Sequence, residues 1–386
     1  MPREVRKSKS RVRSGMKKIG KLIVGSGESS ADMRYATGLS TPDAFIWGSD
    51  GEVSLAVLSP LEFDRAAAQI RPGVRLVRES ELGGDGRVGR IVKLAELFEV
   101  SGFAVPADFP LLLADGLREA GLDIRPAGEG SFFPEREFKS EDEVALVVKS
   151  LRAAEAGVNS AAEVLAACSI AADGSLIHDG EMLTSERLRA EIDIELLRHG
   201  TLPTGTICAG GVQGACPHNA GEGPLYAGTP IVMDVFPRST ASGYWGDLTR
   251  TMVKGRAPQV VKNAYSAVRE ARDFAKTLIR PGAIPEDVHK AAAAILEKHG
   301  FFTGRNEGGD FGFFHGLGHG VGLEIHEAPR LSLRNRKPLA GGEIITVEPG
   351  LYYPEWGGIR LEDMVFVEPG GGCRCLTECA DFLEIP

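Results

Sequence analysis

Five residues in the second half of the chain have the types and spacing of a metal centre: Asp234, Asp247, His319, Glu348 and Glu362. Asp234 interrupts the apolar run Ile231-Val-Met-Asp-Val-Phe236. Asp247 lies in Tyr244-Trp-Gly-Asp-Leu-Thr-Arg-Thr-Met-Val253, beyond a loop rich in Pro, Ser, Thr and Gly. Two strand-like runs around such a loop read as a hairpin, in which the two carboxylates could face each other across the ribbon. Opposed carboxylates repel. A carboxylate in an apolar strand also pays a desolvation cost unless something positive neutralises it. A metal ion answers both problems.

The pattern recurs downstream. Ile344-Ile-Thr-Val-Glu348 is an apolar strand ending in an acid, and Gly358-Ile-Arg-Leu-Glu-Asp-Met-Val-Phe-Val367 carries charges inside another. Strand alternation puts Arg360, Glu362 and Met364 on one face and Asp363 on the other. The acid spacings, 13 and 14 residues, make the two hairpins look like halves of a duplicated unit that would bring four carboxylates to one axis. Between them runs Phe313-Phe-His315-Gly-Leu-Gly-His319-Gly-Val-Gly-Leu-Glu-Ile-His326-Glu327, whose glycines at 316, 318, 320 and 322 allow close backbone approach to a ligand or ion. One imidazole and four carboxylates form an oxygen-rich set suited to Mn²⁺, Fe²⁺, Co²⁺ or Zn²⁺. Two such ions about 3.5–4 Å apart would clamp a bridging hydroxide, the nucleophile of metal-assisted hydrolysis. Singly, each acid reads as a cap or ion-pair partner and the histidine as a satisfied loop residue. Five together in apolar or glycine-rich contexts point to a shared site.

These side chains need a scaffold. The first third alternates strand and helix signals: strands at 21–24, 74–77 and 103–105, a hairpin of 44–47 with 53–58, and helices at 61–70, 91–100 and 111–120. This predicts a compact α/β domain. Inside it, Gly84-Asp-Gly-Arg-Val-Gly89 matches G-x-G-x-x-G, but charged residues separate it from the preceding strand, and it reads as a loop. Phe132 to Ser140 is a plausible boundary, followed by a long helix from Glu141 to about Ala172 with Val144, Val147, Val148 and Leu151 at helical spacing.

The 386 residues allow two domains, and 43% hydrophobic with 25% charged is the balance of a soluble globular protein. The chain carries −9 overall. Residues 1–21 hold nine Lys/Arg against Glu4, a balance of +8, which leaves −17 for the rest. Residues 1–20 therefore read as a basic, solvated arm, and the acidic body argues against nucleic acid as a partner. With no apolar run long enough for a membrane helix or a signal-peptide core, a cytoplasmic location is expected. The six cysteines read as reduced structural thiols, since Cys373, Cys375 and Cys379 lack a fourth zinc ligand at suitable spacing.

At Pro217-His218, Met233-Asp234, Gly246-Asp-Leu-Thr-Arg250, His315-Gly-Leu-Gly-His319-Gly-Val-Gly322, Ile325-His-Glu327, Val347-Glu-Pro-Gly-Leu-Tyr352 and Ile359-Arg-Leu-Glu-Asp363, the chain resembles the pita-bread metallopeptidases. That family includes Xaa-Pro aminopeptidases, Xaa-Pro dipeptidases (prolidases) and methionine aminopeptidases, with creatinase as a relative. Met33-Arg-Tyr-Ala-Thr-Gly38 is similar to the creatinase/prolidase N-terminal domain. After the basic arm over 1–20, the resemblance implies an α/β domain over 21–137 and an α+β pita-bread catalytic domain with a pseudo-twofold internal repeat over 138–386. It further implies that Asp234 ligates one metal, Asp247 and Glu362 bridge both, and His319 and Glu348 complete the other, Mn²⁺ being the leading candidate. Glu348 would double as proton shuttle and His326 would stabilise the tetrahedral intermediate. His218 and His315 would line the substrate pocket with Tyr352 nearby, and Arg360 would orient a ligand carboxylate. The implied activity is hydrolysis of short Xaa-Pro peptides by a homodimer. A creatinase-like C–N hydrolase and a non-enzymatic scaffold are the alternatives, disfavoured by the intact ligand set. The two aspartates lie two residues further apart than is usual in the family, which lengthens their hairpin.

Overall fold

The computed structural model describes residues 18–128 and 130–386. Of the expected basic arm, residues 1–17 lie outside the described residues. The chain divides into two compact units between Phe132 and Phe133.

The first unit is built on a six-stranded sheet. From edge to edge its strands are Val74–Arg78, Ser54–Leu58, Phe45–Ser49, Ile19–Gly25, Gly102–Val105 and Asp123–Pro126. Ser54–Leu58, Phe45–Ser49 and Ile19–Gly25 run antiparallel in turn, and Gly102–Val105 joins Ile19–Gly25 in parallel. Crossovers through the Pro60–Ala67 and Leu111–Glu119 helices make the pairs at the two edges parallel. Leu22, Ile46, Val57, Ile91, Leu94, Phe103 and Leu117 form its core.

The second unit repeats one order twice, a pair of helices and then an antiparallel sheet. Helices Glu141–Ala167 and Ser185–Arg198 precede strands Ile207–Gly210, Ile231–Val235 and Leu248–Lys254. Helices Gln259–Leu278 and Pro285–Lys298 precede strands Gly318–Gly320, Glu327–Leu331, Ile344–Val347 and Asp363–Val367. This repetition is the pseudo-twofold α+β pita-bread architecture. The Gln259–Leu278 helix buries Val261, Ala264, Val268, Ala271 and Ala275 at three- and four-residue steps. They pack with Ile345, Val347, Leu351, Ile359 and Val365 in one core cluster of the unit. Each fully buried Val or Leu contributes about 1.5–3 kcal/mol relative to exposure.

A capping box starts the long helix. Ser140 Oγ accepts from Glu143 N at 3.3 Å, and the Glu143 carboxylate accepts from Ser140 N at 3.0 Å. The helix ends at Ala167, short of the expected Ala172. Ser169–Ile170 instead pairs with Leu176–Ile177 around an Asp173-Gly174 turn, where Asp173 accepts from Ser175 N and Oγ. All six cysteines are free. No helix among the described residues is long and apolar enough to cross a membrane.

Candidate metal centre

The two acidic hairpins are built differently. Strands Ile231–Val235 and Leu248–Lys254 pair with Asp234 opposite Thr249. The hairpin reading has the two aspartates facing each other; in this register Asp247 does not sit across from Asp234. It precedes its strand, on the face of Thr249 by the two-residue period and one step further along. The cause is local. Ser150 Oγ donates to Tyr244 O at 2.9 Å, and Tyr244 Oη donates to Glu143 at 2.6 Å. A Cβ on Gly246 would lie 2.3 Å from Leu151 N, so only glycine lets the chain dock on the long helix just before Asp247.

In the second hairpin, Ile344–Val347 pairs with Asp363–Val367 and Gly350–Tyr353 with Gly357–Arg360. Val347 opposite Asp363 and Gly350 opposite Arg360 belong to one register, so Glu348 and Glu362 stand at matching positions of the interruption between the two ladders.

The five residues meet. Ligand atoms of Asp247, His319 and Glu362 all lie within 4.8 Å of one another. His319 Nε2 is 3.5 Å from Asp247 Oδ2 and 3.3 Å from Glu348 Oε1. Thr249 Oγ1 lies 3.0 Å from Asp234 Oδ1 and 2.8 Å from Glu362 Oε2. Arg360 Nη2 donates to Asp234 Oδ2 at 2.6 Å and Arg360 Nε to Thr249 Oγ1 at 3.1 Å. His319 Nδ1 is 3.2 Å from Gly320 O, which assigns its proton there and leaves the Nε2 lone pair for the carboxylates.

The charges do not balance. Four carboxylates share Arg360, the one arginine or lysine within hydrogen-bond reach of them among the described residues. Thr249 has one hydroxyl proton for two acids. Glu362 Oε1 is buried with no partner at all. Burial, then the charges of Glu362, Asp234 and Glu348, hold the Asp247 carboxyl well above the ordinary carboxylate range. Burial, then Glu348 and Asp234, does the same to Glu362. Burial raises Glu348 to about 7, with Arg360 opposing. Burial, then His326, lowers His319 to about 3, which keeps it in the neutral, ligating form. A buried, over-negative donor set with an orphaned oxygen and a lone-pair nitrogen fits divalent cations.

The remaining sequence-derived residues surround this cluster. His326 is exposed and stands edge-to-face on His319, ring centroids 4.4 Å apart. Exposed His218 is close enough for its charge to lower both His315 and His326. His315 Nε2 is 3.0 Å from Tyr352 Oη, which accepts from Arg360 Nη1 at 2.9 Å. Tyr352 is 0% exposed and braces His315 and Arg360 through its hydroxyl. The glycine run differs from its expected role. A Cβ on Gly318 would lie 1.9 Å from Thr346 O, and on Gly320 2.1 Å from Ala328 O. These glycines admit neighbouring backbone, not an ion.

Sequence reasoning missed Thr249 and Thr346. Thr346 Oγ1 donates to Glu348 Oε1 at 3.2 Å and accepts from His319 N at 3.0 Å. Each threonine lies two residues from an acid of the cluster, and the strand period of two was the signal that would have found them. Arg330 was missed as well. It is exposed, has no ion-pair partner among the described residues, and its charge reaches His319, His326 and Glu348.

A pita-bread scaffold closing on five such donors defines a class of metallohydrolase-like proteins. Residues 146–369 match metallopeptidase family M24, and the chain belongs to that family. The Xaa-Pro dipeptidase of Pyrococcus furiosus is 37% identical over 170 residues, 44% of this chain and 46% of that protein. The Xaa-Pro dipeptidase of Pyrococcus horikoshii is 31% identical over 242 residues, 62% of each. The chain thus spans roughly half to three fifths of these relatives' lengths. An Xaa-Pro dipeptidase from Bacillus anthracis superposes with TM-score 0.81 at 22% identity over 95% of both chains. An X-Pro aminopeptidase from Thermotoga maritima gives 0.79 at 23% over 95% and 97%. At these identities the structural likeness speaks for the fold.

Proposed function

We propose that this chain is a dinuclear metal-dependent peptidase that hydrolyses short Xaa-Pro peptides, as an Xaa-Pro dipeptidase or aminopeptidase. The observation that carries this reading is the orphaned, buried Glu362 Oε1 within the Asp247–His319–Glu362 cluster. Nothing else among the described residues repays its burial. Asp234, Asp247, His319, Glu348 and Glu362 would hold the two ions, with Asp247 and Glu362 at the centre of the donor set. Mn²⁺ comes first among the candidates, ahead of Zn²⁺, Co²⁺ and Fe²⁺. Bound cations of this kind supply Lewis acidity and a water made acidic enough to attack at neutral pH.

The chain's own groups do the rest. Glu348, at the open side of the cluster beside His319, takes the proton of the attacking water and passes it to the leaving nitrogen. His326 donates to the oxygen that becomes negative at the scissile carbonyl. His218 and His315 line the pocket, and Arg360 holds Asp234 in place by its 2.6 Å contact. Arg330, with no ion-pair partner among the described residues, offers a counter-charge for the free carboxylate of a short peptide. A cytoplasmic homodimer with its catalytic domain over 138–386 belongs to the same proposal.

The test is a panel of Gly-Pro, Ala-Pro-Ala and Met-Ala-Ser with protein loaded in turn with Mn²⁺, Zn²⁺ and Co²⁺, alongside metal analysis. About two ions per chain and cleavage of a proline-containing peptide are expected. Protein that holds no metal, or cleaves Met-Ala-Ser alone, contradicts the proposal.

A further inference from the structure

The stretch from Val321 to His326 has no regular secondary structure, yet it ends in the imidazole that must be held in one place for catalysis. Two carboxylates flank His326, at positions 324 and 327. Arg136 Nη2 lies 2.8 Å from Glu324 Oε2 and 2.8 Å from Glu327 Oε2. Lys139 Nζ lies 2.5 Å from Glu327 Oε1. That carboxylate occupies the space a side chain on Gly322 would need, since a Cβ there would sit 2.2 Å from Oε1. Trp245 fastens the other end of the loop: its N donates to Gly322 O at 2.9 Å and its Nε1 to Leu323 O at 3.1 Å.

Arg136, Lys139 and Glu327 are 5%, 6% and 8% exposed. Buried ions lose hydration that their mutual attraction need not repay, and an apolar trio of similar volume often serves stability as well. An apolar trio cannot hold a direction. Salt bridges at fixed forks can.

Resting on the proposed peptidase reading, we infer that Arg136, seconded by Lys139, is a positioning residue for His326, acting as a clamp through Glu324 and Glu327 that fixes the imidazole against His319. The clamp comes from the Pro134–Glu137 turn and the residues before the long helix. The sequence offered that segment only as a boundary.

The decisive variant is Arg136→Met in the full chain. In metal-free protein, hydrogen exchange of a peptide covering 321–327 should speed up about 10-fold while peptides of the Gln259–Leu278 helix exchange as in wild type. In Mn²⁺-loaded protein, kcat on the best dipeptide should fall about 10- to 100-fold at unchanged KM and metal content, as for a catalytic group displaced by an ångström. Arg136→Lys should recover part of that loss. In a His326→Ala background Arg136→Met should add nothing, because the two act as one unit. Unchanged exchange overturns the inference, and so does a full additional loss on top of His326→Ala. Should Arg136→Met fail to fold, Glu324→Gln combined with Lys139→Gln takes its place, with the same reading of exchange. Should the wild type cleave no dipeptide, the peptidase reading falls by itself, and the exchange result still decides the clamp.

Discussion

Glu362 and Asp363 are neighbours in sequence, at the break between strands Gly357–Arg360 and Asp363–Val367, and serve two acidic centres of opposite character on opposite sides of the chain. On one side Glu362 joins Asp234, Asp247 and Glu348 around a single arginine. On the other, Asp363 receives Arg250 at 3.0 Å, Arg272 at 3.2 Å and Lys276 at 2.6 Å, and Asp381 shares Arg250 and Arg272. The second centre contains its counter-charge and is finished as a structure. The first is short of positive charge and is finished only by something added. Charge satisfaction, more than acidity or burial, separates a site from a strut.

This contrast can be broken in several places, starting with the largest effect. Asp247→Ala should abolish turnover, lowering kcat/KM by about 10³-fold or more, as loss of a group at the centre of the charge array does. The same variant should leave metal-free protein as stable as wild type or more so, because it removes a buried, repelled carboxylate. Peptide assays and urea titrations read the two halves. A metal-free variant much less stable than wild type would mean the acids are held by something other than cations.

Asp363→Ala should behave the opposite way. It removes the carboxylate on which buried Arg250 and Arg272 and half-buried Lys276 converge, and should cost about 3–5 kcal/mol in urea unfolding, with or without metal. A neutral result there would erase the contrast. Next in size is metal itself: Mn²⁺ at 100 times its dissociation constant should stabilise wild type by about 2.7 kcal/mol through mass action. Asp247→Ala should lose most of that increment, and Lys276→Met, on the strut side, should keep it. Calorimetric melts with and without Mn²⁺ compare the two.

The smallest effect is a baseline outside both centres. His289 is buried, stacks on Phe313 at 4.9 Å and accepts from Leu317 N at 3.2 Å. Burial lowers its pKa below the usual 6.5. Both states are neutral above that value. Below it the unfolded chain takes up a proton that the folded chain resists, so stability should fall as pH drops from about 6.5. The decline between pH 7 and pH 5 in urea titrations should be shallower in His289→Gln. An identical slope would show that His289 contributes nothing to it.

Much was legible because some of this chemistry is written locally. An acid in an apolar strand is conspicuous whatever the fold, which is why Asp234, Asp247, Glu348 and Glu362 stood out beside His319. The two-residue strand period placed Glu362 and Asp363 on different faces, and the structure has them on opposite sides of the chain. Other features depended on partners far along the chain. The offset of Asp247 from Asp234 follows from Gly246 docking on Leu151. Burial of Tyr352 follows from Arg360 and His315 closing over its hydroxyl. The close approaches at Gly318 and Gly320 are to strands that only the sheet brings near.

The sequence alone determined which residue types were available, which faces of strands they would occupy, and that two acid-bearing hairpins look like halves of one repeated unit, because periodicity and composition act over a few residues at a time. Tertiary structure decided which charges go unpaid. Arg250, Arg272 and Lys276 converge on Asp363 and leave Glu362 bare. Arg136 reaches nearly two hundred positions along to grip both sides of His326. Electrostatic balance depends on distance in space, and no local pattern encodes that.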